Sequence, residues 1–138
     1  MKKKVETAYG VIGLGRFGEA LAMMLAQSGH EVIAVDKDEK KVKEMRQYTD
    51  CAFVADNLSS DTLKEIGIQN CDVVIICIGE KVDVSVLTTM SVIEMGVPRV
   101  IAKALSPEQG AVLSKLGAEV VYPERDMAVS YTHLTLPT

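Results

Sequence analysis

The chain has 138 residues, of which 48% are hydrophobic and 25% are charged, and 19 acidic residues outnumber 15 basic ones to give a formal net charge of −4. This length and composition predict one compact globular domain and exclude a disordered or fibrous protein, and the acidic balance gives no electrostatic reason to bind nucleic acid. The longest apolar run, residues 73–78, is too short to cross a bilayer, so we expect no direct insertion of this chain into a membrane.

Apolar runs alternate along the chain with segments of helical periodicity. The apolar runs predict β-strands over residues 9–12, 31–35, 52–55, 73–78, 100–104 and 119–122. The segments between them predict helices over residues 16–28, 38–48, 59–66, 82–95 and 107–116. Continuous apolar strands, residues 73–78 above all, are typical of a parallel sheet that is covered on both faces. The alternation therefore predicts an α/β fold with a parallel six-stranded sheet.

A glycine-rich turn, Gly-Leu-Gly-Arg-Phe-Gly at residues 13–18, joins the first strand to the first helix. Gly13 permits the tight turn, Gly15 lets a phosphate approach the backbone, and Gly18 lets the helix pack close to the strand. Asp36 ends the second strand, where a carboxylate accepts hydrogen bonds from an adenosine ribose and repels a 2′-phosphate. The alternative is an ordinary strand-to-helix turn, with Asp36 as the cap of the next helix. We expect a nucleotide site in a Rossmann-like, doubly wound parallel six-stranded sheet with strand order 3-2-1-4-5-6.

Further candidate ligand residues flank this turn and the ends of the strands. Arg16 lies in the first helical turn and is expected to contact terminal phosphate oxygens, the alternative being an exposed surface arginine. Ile78 and Gly79 end the predicted fourth strand, which lies beside the first, and a glycine there leaves space for a nucleotide. Phe17, within the glycine-rich turn, and Lys37, directly after the second strand, complete this part of the predicted site.

The chain has three cysteines and two histidines. Cys51, Cys71 and Cys77 form no C-x-x-C pair, have apolar neighbours and are interpreted as reduced core residues. His30 lies at a predicted turn on the opposite edge of the sheet from the glycine-rich turn. Neither residue type therefore indicates a metal site or a catalytic triad.

Several separate blocks of the sequence resemble the RCK or KTN domain, the TrkA-N-type nucleotide-binding regulatory domain of Ktr and Trk potassium-uptake systems. The blocks lie, in chain order, at residues 11–18, 30–36, 87–89, 102–104, 116–118 and 123–127. The resemblance covers residues 8–129. The Gly-Leu-Gly-Arg-Phe-Gly turn and the Pro-Glu-Arg-Asp-Met stretch at residues 123–127 are most similar to the Ktr gating subunit.

The resemblance implies a non-catalytic sensor that binds ATP or ADP, with NAD(H) as the alternative ligand, and controls potassium transport. It implies a homo-oligomer, from a dimer to an octameric ring, that joins a potassium-conducting membrane subunit and is therefore cytoplasmic and peripheral to the inner face of the cell membrane. A ligand can control such a ring only if it binds the ring's states with different affinities. The alternative from another class of protein is an NAD-dependent oxidoreductase fragment that lacks its substrate domain.

The resemblance also implies further ligand residues. It places Asp56 on the adenine edge, with Asn57 in the same loop, whereas a helix cap or turn is the alternative for this pair. It implies a ligand role for Lys103 at the end of the fifth strand, the alternative being an exposed lysine. Glu124 lies three strand spacings from the first strand, so the resemblance assigns it to the triphosphate of a neighbouring subunit, with a divalent cation. The alternative for Glu124 is the acidic start of a helix.

The predicted domain organisation divides the chain near residue 129. Residues 1–129 are expected to form the nucleotide-binding domain. Residues 130–138 contain three threonines and a proline, which are poor helix formers, so we expect a disordered or non-native tail there. The family would instead continue with a helix that crosses to a partner subunit and leads to a second lobe.

Overall fold

A computed structural model describes residues 7–123. The strands are Ala8–Ile12 (β1), Glu31–Asp36 (β2), Cys51–Val54 (β3), Val73–Ile76 (β4), Arg99–Lys103 (β5) and Glu119–Val121 (β6). The helices are Arg16–Gln27 (α1), Glu39–Met45 (α2), Ser60–Ile66 (α3), Val82–Glu94 (α4) and Pro107–Leu116 (α5). All strand pairs are parallel and the order is β3-β2-β1-β4-β5-β6, which confirms the predicted Rossmann-like, doubly wound sheet.

The hydrophobic core has two layers, one on each face of the sheet. Successive strand residues point to opposite faces, so Val11 belongs to one layer and Ile12 to the other. The first layer contains Leu21 of α1, and the second contains Leu113 of α5. The central strands β1 and β4 therefore bury both faces, which is the reason that their sequences are continuously apolar rather than alternating.

Local capping residues mark both ends of α3 and α5. Ser59 caps α3 by accepting a hydrogen bond from the Thr62 N–H at 3.2 Å, and Ser106 caps α5. Both helices end at glycines with left-handed backbone, Gly67 at φ 102° and Gly117 at φ 108°. Within residues 7–123, no helix combines the length and the apolar character needed to span a bilayer.

Within the described residues, three elements differ from the sequence-based prediction by more than one residue at an end. β4 ends at Ile76 instead of residue 78, because Cys77 N–H donates to the last carbonyl of β1, that of Ile12, at 2.7 Å. Beyond Ile12 the chain turns at Gly13, so residues 78 and 79 have no β1 partner and leave the sheet. α2 is also shorter than predicted, and a short 3₁₀ helix at Ile68–Asn70 was not predicted.

The cysteines divide into two kinds. Cys71 and Cys77 are buried, as predicted, and all three thiols are free. The prediction of a core position was wrong for Cys51, which is exposed. Cys51 begins β3, the edge strand of the sheet, where one neighbouring strand is absent and the core covers less of the chain.

Candidate functional site

An open pocket of about 640 Å³ lies at the carboxyl ends of the strands, where the chain leaves β1 and β4 in opposite directions. A doubly wound sheet forms its crevice at this switch point because the helices that follow the two strands cover opposite faces. The pocket is lined by residues 12–15, 35–37, 55–58 and 77–81, together with Lys41, Val84 and Lys103. The glycine-rich turn and the ends of four other strands thus meet at one place.

The three glycines of the turn have different surroundings. Gly13 has a left-handed backbone, and a Cβ there would lie 2.7 Å from the Cys77 carbonyl oxygen. A Cβ on Gly18 would overlap the Gly13 carbonyl oxygen. A Cβ on Gly15 would meet no atom within 4 Å. Gly13 and Gly18 are therefore required by packing inside the chain, whereas the bare backbone of Gly15 borders the open space of the pocket.

Asp36 holds the glycine-rich turn through its carboxylate. One carboxylate oxygen accepts a hydrogen bond from the Leu14 N–H at 2.6 Å, and the other accepts from the Asp38 N–H at 2.8 Å. The cap of α2 is Asp38, whose carboxylate accepts from the Lys40 N–H at 3.0 Å, so Asp36 does not have the capping role considered as its alternative. A carboxylate has about four lone-pair sites, so Asp36 retains acceptor capacity towards the pocket that it lines.

Two helices begin at the pocket without a side-chain cap. α1 starts after Gly15 and α4 starts after Lys81, both of which line the pocket. The first N–H groups of a helix have no intrahelical partner and lie at the positive end of the helix dipole. This arrangement favours an anionic group at the mouth of the pocket.

The charged side chains of the pocket include more lysines than acids. The lysines are Lys37, Lys41, Lys81 and Lys103, and the acids are Asp36, Asp56 and Glu80. The half-buried Lys103 ammonium lies 3.5 Å from the place that a Cβ of Gly79 would take. Burial raises the pKa of the Cys77 thiol to about 12, and the Lys103 charge opposes this rise. The ammonium thus stands at the pocket wall, in position to meet an anion.

Several predicted site residues occupy less direct positions. The Phe17 side chain is 4% exposed and packs in the core beneath the turn, and Phe17 is not among the lining residues, so its contact with the ligand stays a prediction. Arg16 is exposed at the first residue of α1 and is not among the lining residues. Asn57 lines the pocket, but its Oδ1 accepts hydrogen bonds from the Ser59 N–H and the Thr62 hydroxyl, as its turn alternative requires.

The predicted cation ligand Glu124 and the predicted tail, residues 130–138, lie outside the described residues. Within the described part of the chain, no group of three or more His, Cys, Asp or Glu side chains could hold a metal ion. The predicted residues that the structure does bring together at the pocket are Gly13, Gly15, Asp36, Lys37, Asp56, Asn57, Ile78, Gly79 and Lys103.

Sequence reasoning missed some lining residues. Glu80 and Lys81 directly follow Gly79, so the rule that ligands bind beyond the carboxyl ends of strands could have extended the predicted site to them. Lys41 and Val84 lie inside helices α2 and α4. Their places depend on how each helix packs on the sheet, and no local pattern identifies them.

The fold and the glycine-rich turn define a Rossmann-like α/β domain with a pocket at its switch point. Residues 9–123 match the family model of the TrkA-N domain, and the chain belongs to this family. The resemblance inferred from the sequence blocks is therefore confirmed.

Two curated relatives come from Bacillus subtilis strain 168. Ktr system potassium uptake protein C is 42% identical over 134 residues, 96% of this chain and 59% of that protein. Ktr system potassium uptake protein A is 39% identical over 122 residues, 88% of this chain and 55% of that protein. The chain thus spans little more than half the length of these relatives.

Solved structures share the fold. The TrkA-N domain of inner membrane protein ybaL from Escherichia coli has a TM-score of 0.76 at 20% identity, covering 96% of this chain and 99% of that one. The GsuK channel bound to NAD has a TM-score of 0.72 at 23% identity, covering 88% of this chain and 22% of that one. GsuK bound to ADP has a TM-score of 0.72 at 24% identity, covering 93% and 33%.

Proposed function

We propose that this chain is a non-catalytic, nucleotide-sensing regulatory domain that controls potassium transport, and that it binds ATP or ADP, or alternatively NAD(H), at the pocket above the glycine-rich turn. The observation that carries the proposal is the open space at Gly15, beside the uncapped start of α1 and the Asp36 carboxylate. The likeness to NAD-bound and ADP-bound GsuK supports a nucleotide as the ligand. The identity with the two Ktr proteins supports potassium transport as the process.

The pocket offers complementary groups to the parts of such a nucleotide. The phosphates would lie against the backbone of Gly15 and the first N–H groups of α1, with the Lys103 ammonium as a countercharge. The ribose hydroxyls would donate to the Asp36 carboxylate, which the turn already holds in place. The adenine would lie towards Asp56, at the end of β3.

The regulatory part of the proposal requires assembly. We propose that the domain, residues 1–129, forms a homo-oligomer joined to a potassium-conducting membrane subunit, at the cytoplasmic face of the membrane. A nucleotide that binds one state of such an assembly more tightly by about 1.4 kcal/mol shifts the balance between states tenfold. Glu124 of one subunit, with a divalent cation, is proposed to meet the triphosphate of the next.

Calorimetric titration with ADP, ATP and NADH tests the proposed ligand. Gly15→Ala should abolish binding because a methyl group would occupy the space for the phosphates, and the melting temperature should be unchanged because that methyl meets no protein atom within 4 Å. Gly29→Ala is the matched control. It also adds a methyl group in open space, but it lies in the turn between α1 and β2, away from the pocket, at a left-handed φ of 92°. It should lower stability and leave binding intact.

A folded Gly15→Ala protein that binds all three nucleotides like the wild type would overturn the proposed site. NADH consumption with added carbonyl substrates would favour an oxidoreductase instead. Potassium flux through a reconstituted membrane subunit tests the regulatory part, because Gly15→Ala should remove any response of that flux to nucleotide.

A further inference from the structure

A buried side-chain amide joins helices α4 and α5. Gln109 is only 3% exposed, and its Oε1 accepts a hydrogen bond from the Leu105 N–H at 2.8 Å. Its Nε2 donates to the hydroxyl of Ser85, which is fully buried, at 3.3 Å. The amide therefore bridges the first turns of α4 to the connection between β5 and α5.

Both bridged segments supply residues to the pocket. On the α4 side, Lys81 and Val84 line the pocket, and the Ser85 N–H donates to the Lys81 carbonyl at 2.9 Å. On the β5 side, Lys103 lies two residues before Leu105. The two segments meet again at the pocket wall, where the Lys103 ammonium approaches Gly79.

The Gln109 amide bridge is held in one geometry because losing its buried hydrogen bonds is unfavourable. A buried donor or acceptor without a partner is unfavourable, so a shift of α4 away from α5 is resisted because it would break the hydrogen bond between the buried Gln109 amide and the Ser85 hydroxyl. An apolar contact at the same place would tolerate sliding, since hydrophobic burial has no direction.

We propose that Gln109 is a positioning residue for nucleotide binding, whose side-chain amide holds the start of α4 and the segment after β5 at the separation that the pocket requires. Gln109 itself is not among the residues that line the pocket. It acts on the ligand by placing the Lys103 ammonium against the residue 79–81 loop. This inference rests on the proposed nucleotide-binding function.

The test measures ADP affinity by calorimetry and unfolding by urea for the full chain and its variants. Gln109→Met keeps the length of the side chain and removes both hydrogen bonds, so ADP should bind about fivefold to tenfold more weakly. Ser85→Ala removes one of the two bonds and places a good helix former in α4, so it should fold and should weaken binding about twofold to fivefold.

Thr89→Val is the matched control. Thr89 is fully buried in α4, and its hydroxyl donates to the Ser85 carbonyl at 2.7 Å without touching the bridge. The substitution keeps the side-chain shape and should lower stability to an extent similar to Gln109→Met. Its ADP affinity should stay within about twofold of the wild type, because the change removes neither hydrogen bond of the Gln109 amide.

A double-mutant cycle that combines Gln109→Met with Lys103→Met separates a positioning role of Gln109 from a general structural effect of its loss. If the amide acts through Lys103, Gln109→Met should weaken binding much less once the ammonium is gone. An equal fold-loss in both backgrounds, or a folded Gln109→Met protein with wild-type affinity, would overturn this inference alone. A wild-type chain that binds none of ADP, ATP and NADH would instead overturn the proposed function.

Discussion

Asp36 has a structural partner in the chain as well as a proposed partner in the ligand. Its carboxylate accepts from the Leu14 N–H at 2.6 Å and retains lone pairs towards the pocket. Asp36→Ala would remove the acceptor for the ribose and leave the turn without its tether. We expect adenine-nucleotide binding, measured by calorimetry, to weaken by about 1.5–3 kcal/mol, the range for a hydrogen bond to a charged group.

Asp38→Ala is the control for this prediction. Asp38 caps α2 and is not a lining residue, so the change should lower the free energy of unfolding by about 1 kcal/mol with little effect on affinity. Unchanged affinity in Asp36→Ala would remove the ribose role.

At the level of single residues, the sequence predicted backbone roles better than side-chain placement. The spacing of glycines between a strand and a helix indicates where a tight turn and a close approach occur, and these are local properties that Gly13 and Gly18 show in the structure. The position of Phe17 depends instead on which face of α1 meets the sheet. The residues beside Phe17 in the motif do not indicate whether its side chain contacts a ligand or the core.

At the level of elements, the packing of α1 on the sheet depends on Gly18. A Cβ at this position would overlap the Gly13 carbonyl oxygen and lie 3.1 Å from the Cys77 Cβ. Because the overlapped atom is backbone, it cannot rotate aside, and we expect Gly18→Ala to lower the free energy of unfolding by about 1–3 kcal/mol. Urea denaturation measures the loss.

Gly15→Ala is the control for Gly18→Ala, because both glycines belong to the same glycine-rich turn at the start of α1. Its methyl group would lie in open space, and the Gly15 φ of −69° is ordinary for alanine, so its stability should match the wild type. Equal stability of the Gly18 and Gly15 variants would show that α1 can move away from the sheet without cost.

Element boundaries were less predictable than the elements themselves. The apolar run at residues 73–78 contains no signal for the end of β4, because a strand ends where its neighbour stops offering hydrogen bonds. That neighbour is β1, which is more than 60 residues away in the sequence and turns at Gly13. By contrast, α5 begins and ends as predicted, at Pro107 and Leu116, since its cap and its glycine are local signals.

At the level of the whole molecule, the fold buries two thiols. Because these thiols ionise at high pH, the free energy of unfolding depends on pH in the alkaline range. Burial raises the pKa of Cys77 from 9.0 to about 12, and burial, aided by Asp72, raises the pKa of Cys71 to about 12. Each thiol binds its proton more tightly in the folded chain than in the unfolded chain. The stabilisation that this provides is fully present below pH 9 and is lost as the pH rises towards about 12.

We therefore expect the free energy of unfolding, measured by urea denaturation, to fall between pH 9 and about 11 more steeply in the wild type than in Cys77→Ala. The difference in slope should be on the order of 1 kcal/mol per pH unit. Identical slopes in the wild type and Cys77→Ala would contradict the burial argument.

The sequence by itself determined the class of fold, the strand order and the place of the glycine-rich turn. These follow from periodicity, continuous apolar strands and turn chemistry, each of which acts over a few neighbouring residues or through a general rule of parallel sheets. Tertiary structure alone decided that Cys51 is exposed, that β4 stops at Ile76, and that Gln109 bridges Ser85 and the Leu105 N–H. Each of these depends on which distant segment packs or pairs alongside, and a linear pattern does not contain that information.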